Sequence, residues 1–166
     1  MGKKEDFSAH INDGYACKGD FILLGGAMLE GEALPGVHVK VPLKTMNRHG
    51  LIAGATGTGK TKTLQVISEQ LSEKGVPVLL MDVKGDLSGI AMPGEEKPFI
   101  TERHSKLGVP YSTRGCPVEL LSISAQDGVR LRATVSEFGP VLLARILDLN
   151  ETQGSVLAVI FKYCDD

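Results

Sequence analysis

The beginning of the chain consists of a polar stretch followed by two short apolar runs. Residues 1–18 are polar and are predicted to be a loose lead-in. Phe21–Leu29 (FILLGGAML) is an apolar run, and Val37–Leu43 (VHVKVPL) alternates apolar with polar side chains, as half-buried strands do. Because the turn-rich segment EGEALPG lies between them, residues 1–44 are predicted to be a polar lead-in with a short β-hairpin extension.

A second region, residues 45–166, begins with the pattern strand, loop, helix, strand. Gly50–Gly54 (GLIAG) is a brief apolar run that leads into a Gly-rich loop. Leu64, Ile67 and Leu71 then recur at helical spacing, and Gly75 marks the end of that helix. The next segment, VPVLLMDVKGD, is apolar and ends in an acid, which is typical of a buried parallel strand. The pattern predicts an α/β fold with helices on the faces of a parallel sheet.

Weaker signals follow in the remainder of the chain. Residues 84–116 are rich in Gly, Pro and charge and are predicted to be loop with a helical piece at Thr101–Leu107. The segments PVELLSI and VRLRATV are strand candidates separated by a plausible turn, SAQDG. Pro140 suits the first turn of a helix. NETQ has the form of a capping box, with Asn150 as N-cap and Gln153 three residues later.

The last predicted helix is apolar around nearly its whole circumference. The residues responsible are Val156, Leu157, Val159, Ile160 and Phe161. A helix of this kind belongs inside a protein, yet the sequence stops five residues later. We interpret the sequence as a truncated piece of a longer protein, and a terminal helix docked in a cleft is the alternative.

Composition narrows the classes of function. The formal net charge is −2, and there are three tyrosines, five phenylalanines and no tryptophan. This composition gives no sign of a basic nucleic-acid-binding surface or of a base-stacking platform. The three cysteines are far apart, which predicts free thiols rather than a metal site. With no secretory signal and no apolar run long enough to cross a bilayer, the chain is predicted to be cytoplasmic, without a membrane partner.

The Gly-rich loop GATGTGKT carries the clearest chemical signal. Gly54, Gly59, Lys60 and Thr61 satisfy the phosphate-loop (Walker A) pattern G-x-x-x-x-G-K-[ST]. In such a loop, backbone N–H groups and the following helix N-terminus face the phosphates. Lys60 would contact the β- and γ-phosphates, and the Thr61 hydroxyl would ligate Mg²⁺. The predicted nucleotide-binding residues are Gly54, Ala55, Thr56, Gly57, Thr58, Gly59, Lys60, Thr61 and Lys62.

Asp82, at the end of the second predicted strand, has several readings. It could hold Mg²⁺ through water, as the acid of this strand does in kinase- and GTPase-like phosphate-loop proteins. It could instead be an N-terminal cap or a salt-bridge partner for Lys84. In RecA-like motors the Mg²⁺ acid comes from a later strand and is followed by a catalytic Glu, and the sequence contains no convincing strand of this type. A role near the nucleotide or near a subunit interface is therefore predicted for Asp82, without a choice between them.

Two longer segments carry a resemblance to a known family. They are NRHGLIAGATGTGKTKTLQVISEQLSEKGVPVLLMDVKGDLSGIA and RATVSEFGPVLLARILDLNETQGSVLAVIF. Both closely resemble the start of bacterial HerA-like helicase-domain proteins, which belong to the HerA–FtsK superfamily of DNA-pumping ATPases. The similarity extends from about Phe21 to the C-terminus. Its specific part is the phosphate loop together with LLMDVKGD, since a phosphate loop alone occurs in many families.

The resemblance implies a phosphate-loop NTPase with a RecA-like core, ATP and Mg²⁺ as cofactors, DNA as partner and a hexameric ring. Gly54–Thr61 match the family's nucleotide loop, and Asp82, Lys84 and Gly85 match its second-strand motif. Lys60 and Asp82 are the candidate catalytic residues. The family's Walker B strand, catalytic Glu and trans-acting Arg belong to a later region that this sequence lacks. The expectation is ATP binding without hydrolysis by the chain alone.

Two other classes of function stay open at the level of sequence. One is a small phosphate-loop kinase complete in one chain, with Asp82 as its Mg²⁺ acid. Such a kinase needs an Arg-rich acceptor lid, whereas the arginines here are scattered. The other is a non-catalytic nucleotide-binding or interaction module. Turnover by the isolated chain favours the kinase, and binding without turnover favours the motor part or the module.

Overall fold

A computed structural model describes residues 2–124 and 126–165. The chain divides into two compact units, Met1–Val118 and Glu119–Asp166. The first unit contains helix α1 (Lys3–Gly14), strands β1 (Phe21–Leu29) and β2 (Glu32–Pro42), and helices α2 (Lys60–Glu73) and α3 (Pro98–Leu107). It also contains two 3₁₀ turns, Leu43–Thr45 and Ser88–Ala91. The second unit contains strands β3 (Leu121–Ser122) and β4 (Val129–Arg130) and helices α4 (Val135–Ile146) and α5 (Glu151–Asp165).

The predicted hairpin is confirmed as the antiparallel pair β1–β2. Its connection is shorter than the sequence suggests, since Leu29 pairs directly with Glu32. Glu30 and Gly31 both have positive φ, 52° and 85°, the requirement of a tight two-residue hairpin turn. The segment expected to be a long turn therefore continues β2 from Glu32 onward.

Helix α1 corrects the prediction of a loose lead-in. Phe7 and Ile11 are one helical turn apart and pack against the buried hairpin residues Ala27, Leu34 and Val37. Two ion pairs at the hairpin turn, Lys3–Glu30 and Lys4–Glu32, add to this contact. The segment is polar because only this narrow stripe of the helix faces the hairpin.

Helix α2 is joined to the outer edge of β1 by a side-chain amide. Gln70 Nε2 donates to the Leu23 carbonyl at 2.7 Å, and the Leu23 N–H donates to Gln70 Oε1 at 2.6 Å. The Lys74 ammonium lies 3.5 Å from the Asp20 carboxylate just before the strand. The amide thus satisfies an edge of β1 beside which no strand lies among the described residues.

Helix α3 packs on the same hairpin and confirms the helix predicted at Thr101–Leu107, with an earlier start at Pro98. The His38 Nε2 atom lies 2.9 Å from the Leu107 carbonyl oxygen. A Cβ atom added at Gly26 would lie 2.5 Å from Leu107 Cδ2, so this glycine permits the close approach of the helix. The hairpin therefore supports three helices.

The predicted parallel sheet around the phosphate loop is not formed among the described residues. Residues 50–54 and 76–82 carry no strand pairing, and Leu51 and Leu79 are 90% and 80% exposed. All-parallel sheets occur almost only where both faces are covered, and among the described residues no strand pairs with either segment. The strands predicted here are not confirmed by this structure, while the broader prediction of an α/β chain with a short hairpin is confirmed.

The second unit contains two very short strands and a helical hairpin. The strand candidates shrink to β3 and β4, which pair in parallel over two residues each; Ala125, in the predicted turn SAQDG, lies outside the described residues. Gly139 (φ 65°, ψ 170°) interrupts α4, and Pro140 lies in the first turn after this break. The predicted capping box is confirmed, with Gln153 N donating to Asn150 Oδ1 at 2.9 Å and Asn150 N donating to Gln153 Oε1 at 3.0 Å.

Helix α5 does not occupy the interior that its apolar circumference predicts. It packs on α4, and Val156, Val159 and Ile160 remain exposed. One neighbouring helix covers only one side of a helix that is apolar all round. Within residues 2–124 and 126–165, no helix is both long and apolar enough to traverse a bilayer.

Candidate nucleotide site

The phosphate loop keeps its shape through glycines and a short internal hydrogen bond. Gly57 and Gly59 have φ values of 81° and 96°, which side chains with a Cβ rarely adopt. Thr58 Oγ1 donates to the Ala55 carbonyl at 2.8 Å. A Cβ atom at Gly54 would lie 2.5 Å from that same Oγ1 atom, so the loop closes only over a glycine. Both glycines of the sequence pattern, Gly54 and Gly59, therefore have a structural reason to be glycine, and Gly57 has one as well.

Helix α2 begins immediately after this loop, with Gly59 as its N-cap in the left-handed conformation. The first intrahelical hydrogen bond joins Thr63 N to the Gly59 carbonyl at 2.9 Å. The N–H groups before Thr63 belong to the helix end that carries partial positive charge. No side chain caps this end. Such a helix start, directly behind a Gly-rich loop, is suited to an anion.

The two lysines of the loop differ in what they contact. The Lys60 ammonium donates to the Ala55 carbonyl at 2.6 Å, so its charge lies across the loop. The Lys62 ammonium donates to Gln65 Oε1 at 2.9 Å, one turn further along the helix. Lys60 is therefore the lysine whose charge the structure brings to the loop.

The Asp82 carboxylate accepts hydrogen bonds from the backbone of the loop that follows it, and not from another side chain. Its Oδ1 accepts from the N–H groups of Gly85 (2.7 Å) and Asp86 (3.2 Å). Its Oδ2 accepts from the N–H groups of Leu87 (3.0 Å) and Ser88 (3.3 Å). Desolvation raises the pKa of Asp82, but these hydrogen bonds outweigh it and hold the pKa below its ordinary value of 3.8. Across the described residues, no ion pair joins Asp82 to Lys84 and no hydrogen bond joins it to the phosphate loop.

Asp86 is the acid that reaches the phosphate loop, and the sequence reasoning missed it. The Thr61 hydroxyl donates to Asp86 Oδ2 at 3.1 Å. The buried Gln65 side chain donates to the Asp86 backbone carbonyl at 3.2 Å, which ties this residue to α2 a second time. The available signal was the second acid of DVKGD, four residues after Asp82. Both acids follow the apolar run 76–81 within a few residues, so either acid of the motif was a candidate.

Comparison with known families decides where the chain belongs. Residues 28–166 match the sequence model of the family described as Helicase HerA-like C-terminal. The chain is a member of this HerA-like family. The resemblance read from the phosphate loop and the LLMDVKGD segment is thereby confirmed at the level of family.

Two archaeal HerA proteins show the same relationship over shorter stretches. The chain is 37% identical over 57 residues to the DNA double-strand break repair helicase HerA of Sulfolobus acidocaldarius, covering 34% of this chain and 12% of that protein. It is 42% identical over 50 residues to the protein of the same description from Saccharolobus solfataricus, covering 30% and 10%. The chain thus spans about a tenth of the length of these relatives. No solved structure gives a significant match.

The HerA-like site offers the donors that a magnesium nucleotide requires. Mg²⁺ in nucleotide sites takes only one or two protein oxygens, and phosphates and water supply the rest. Thr61 and Asp86 place a hydroxyl and a carboxylate next to each other at the start of α2. No group of three or more His, Cys, Asp or Glu side chains suited to a metal occurs in the described parts of the chain. The donor set fits a cation that arrives with phosphate.

Proposed function

We propose that this HerA-like chain binds ATP with Mg²⁺ at residues 54–62. The observation that carries the proposal is a glycine-shaped loop with the Lys60 ammonium across it and a helix N-terminus behind it. Backbone N–H groups of the loop would receive the phosphates, Lys60 would neutralise the β- and γ-phosphates, and Thr61 would contact Mg²⁺. Lys60 and Asp82 are the proposed catalytic residues, with Asp82 acting through the loop that it holds or on Mg²⁺ through water.

The wider proposal is that this site serves a DNA-translocating ATPase. Its support is family membership and the description of the two archaeal relatives as DNA double-strand break repair helicases. In the proposed assembly, residues 50–54 and 76–82 are strands of a RecA-like parallel sheet, and six chains form a ring in the cytoplasm around DNA. The sequence has no strand ending in an Asp-Glu pair, so the chain alone would bind ATP without hydrolysing it.

Titration of the purified chain with a fluorescent ATP analogue, in the presence of Mg²⁺, tests the nucleotide proposal. Lys60→Ala is expected to raise the Kd at least tenfold, because the ammonium that faces the phosphates is removed. Lys18→Ala removes an exposed lysine outside the loop and serves as the matched control. Equal affinities in wild type and Lys60→Ala would refute the site.

Phosphate release by the same samples separates the remaining functions. No release supports a motor part that needs further residues. Lys60-dependent release by the isolated chain would contradict this and would favour the kinase-like alternative with Asp82 on Mg²⁺. For the DNA-translocating part, a labelled DNA duplex should bind more tightly when ATP is present. Sedimentation under the same conditions should give six times the mass of one chain. A protein that stays monomeric and does not bind the duplex under these conditions contradicts the translocase proposal.

A further inference from the structure

The contact between Thr61 and Asp86 joins two segments that are 25 residues apart. A threonine hydroxyl that binds a cation does so through its oxygen lone pairs, so its proton needs a different acceptor. In the structure, Asp86 Oδ2 is that acceptor, at 3.1 Å. The hydroxyl is thereby rotated so that its remaining lone pairs point away from Asp86.

The position of Asp86 is fixed from two sides independently of its own side chain. Its N–H donates to Asp82 Oδ1 at 3.2 Å, and its carbonyl accepts from Gln65 Nε2 at 3.2 Å. The following residue, Leu87, is buried and also donates its N–H to Asp82. The carboxylate of Asp86 therefore extends from a backbone that is held in place by Asp82 and α2.

We propose that Asp86 is a positioning residue that orients the Thr61 hydroxyl toward the Mg²⁺ of a bound magnesium nucleotide, while Asp82 holds the loop that presents it. This inference rests on the proposed nucleotide site. Groups that orient a metal ligand through a hydrogen bond typically change metal affinity by about 10- to 100-fold when they are removed. The two acids of DVKGD thus have different roles.

The test is the affinity for ATP measured twice, with Mg²⁺ and with EDTA. Asp86→Ala is expected to weaken Mg·ATP binding about tenfold and to leave metal-free ATP binding unchanged. Both backbone contacts of residue 86 survive this substitution, so the loop is expected to keep its conformation. Glu96→Gln, which removes one exposed negative charge from the same unit, is the matched control and should change neither affinity.

Two further variants separate positioning from other roles. Thr61→Val removes the hydroxyl at constant shape. The double variant Thr61→Val with Asp86→Ala should bind Mg·ATP no more weakly than Thr61→Val alone, because both substitutions act through one contact. Asp86→Asn keeps an oxygen that accepts the Thr61 proton and should recover most of the Mg·ATP affinity.

The outcomes that overturn the inference differ from those that overturn the site. A parallel fall of the Mg²⁺ and EDTA affinities in Asp86→Ala would assign Asp86 a merely structural role. Additive losses in the double variant, or an Asp86→Asn protein as weak as Asp86→Ala, would also refute positioning, since the charge would then act apart from Thr61. In each case the Lys60-dependent binding of ATP persists and the nucleotide site stands. Wild-type protein that binds no ATP in either condition overturns both proposals.

Discussion

The hairpin Phe21–Pro42 and the phosphate-loop region, residues 50–62 with 76–88, lie in the same unit and differ in how they are stabilised. In the hairpin, buried apolar side chains and three packed helices cover the strands. In the phosphate-loop region, apolar side chains such as Leu51 and Leu79 face solvent, and conformation is fixed by glycines and by hydrogen bonds to Asp82 and Asp86. Burial stabilises the first region, and glycine conformations with polar contacts stabilise the second.

The comparison explains how the Gly-rich loop keeps its form although no sheet lies behind it in the described part of the chain. The Thr58–Ala55 bond, the Lys60–Ala55 bond and the positive φ values lie within a few residues of one another. The Asp82 bonds likewise span only three to six residues. Local contacts of this kind need little chain closure to form. A parallel strand, by contrast, needs partners distant in sequence.

The largest expected effect comes from truncating one leucine in each region. Leu34→Ala, in the hairpin core at 2% exposure, should lower the free energy of unfolding by about 2–5 kcal/mol, because it leaves a cavity. Leu79→Ala, at 80% exposure, should change it by less than about 0.5 kcal/mol. Urea unfolding of both variants measures the difference. Equal losses would break the comparison, since they would show that residues 76–82 are covered in solution, as the proposed parallel sheet requires.

An intermediate effect is expected where helix α2 meets the hairpin. Gln70→Leu keeps the volume of the side chain and leaves both backbone groups of Leu23 without their partner, at a cost of roughly 1–3 kcal/mol in urea unfolding. Gln70→Glu keeps the acceptor for the Leu23 N–H and should therefore lose less of the free energy of unfolding than Gln70→Leu does. A Gln70→Leu protein as stable as wild type would show that the amide contributes nothing to holding α2 on β1.

In the phosphate-loop region, a single methyl group should affect binding rather than stability. The Cβ of Gly54→Ala would displace Thr58 Oγ1 and break its bond to the Ala55 carbonyl. Loss of this hydrogen bond should reduce the binding free energy by about 1–2 kcal/mol, which corresponds to a roughly 5- to 30-fold weaker affinity for ATP. Gly50→Ala is the matched control, since its Cβ meets no atom within 4 Å. Equal ATP affinities of the two variants would argue against a loop shaped by Gly54.

The same division shows which parts of the molecule could be predicted from the sequence. The hairpin alternation, the capping box at Asn150 and the helix before Gly75 depend on neighbours within a few residues, and all three were predicted. Helix α1 was missed because its apolar stripe consists of little more than Phe7 and Ile11. The strands at residues 50–54 and 76–82 were predicted from apolar runs in the order strand, loop, helix, strand, and this order does not say what lies beside them.

At the candidate site, the pattern predicted the loop but assigned the acid differently. GATGTGKT predicts the loop glycines and the start of α2, because each has a fixed backbone role. The sequence pointed to Asp82 because it ends an apolar run, yet the contact to Thr61 is made by Asp86. Which acid of a loop turns toward the helix depends on the backbone hydrogen bonds after the strand, and these have no signature in residue type.

The smallest expected effect is an acid-dependent loosening confined to the phosphate-loop region. The pKa of Asp82 lies below its ordinary value of 3.8 in the folded chain, so the hydrogen bonds to its carboxylate stabilise the fold above that value and are lost as the pH falls through the lowered one. The difference in unfolding free energy between wild type and Asp82→Asn should therefore be constant from pH 7 to about pH 5 and shrink below pH 4. The effect is modest because Asp82 is exposed and water competes for its oxygens. Glu96→Gln, an exposed position with the same change of charge, is the matched control. A difference that instead grew toward low pH would reverse the sign and show that the protonated carboxyl is the form that the loop prefers.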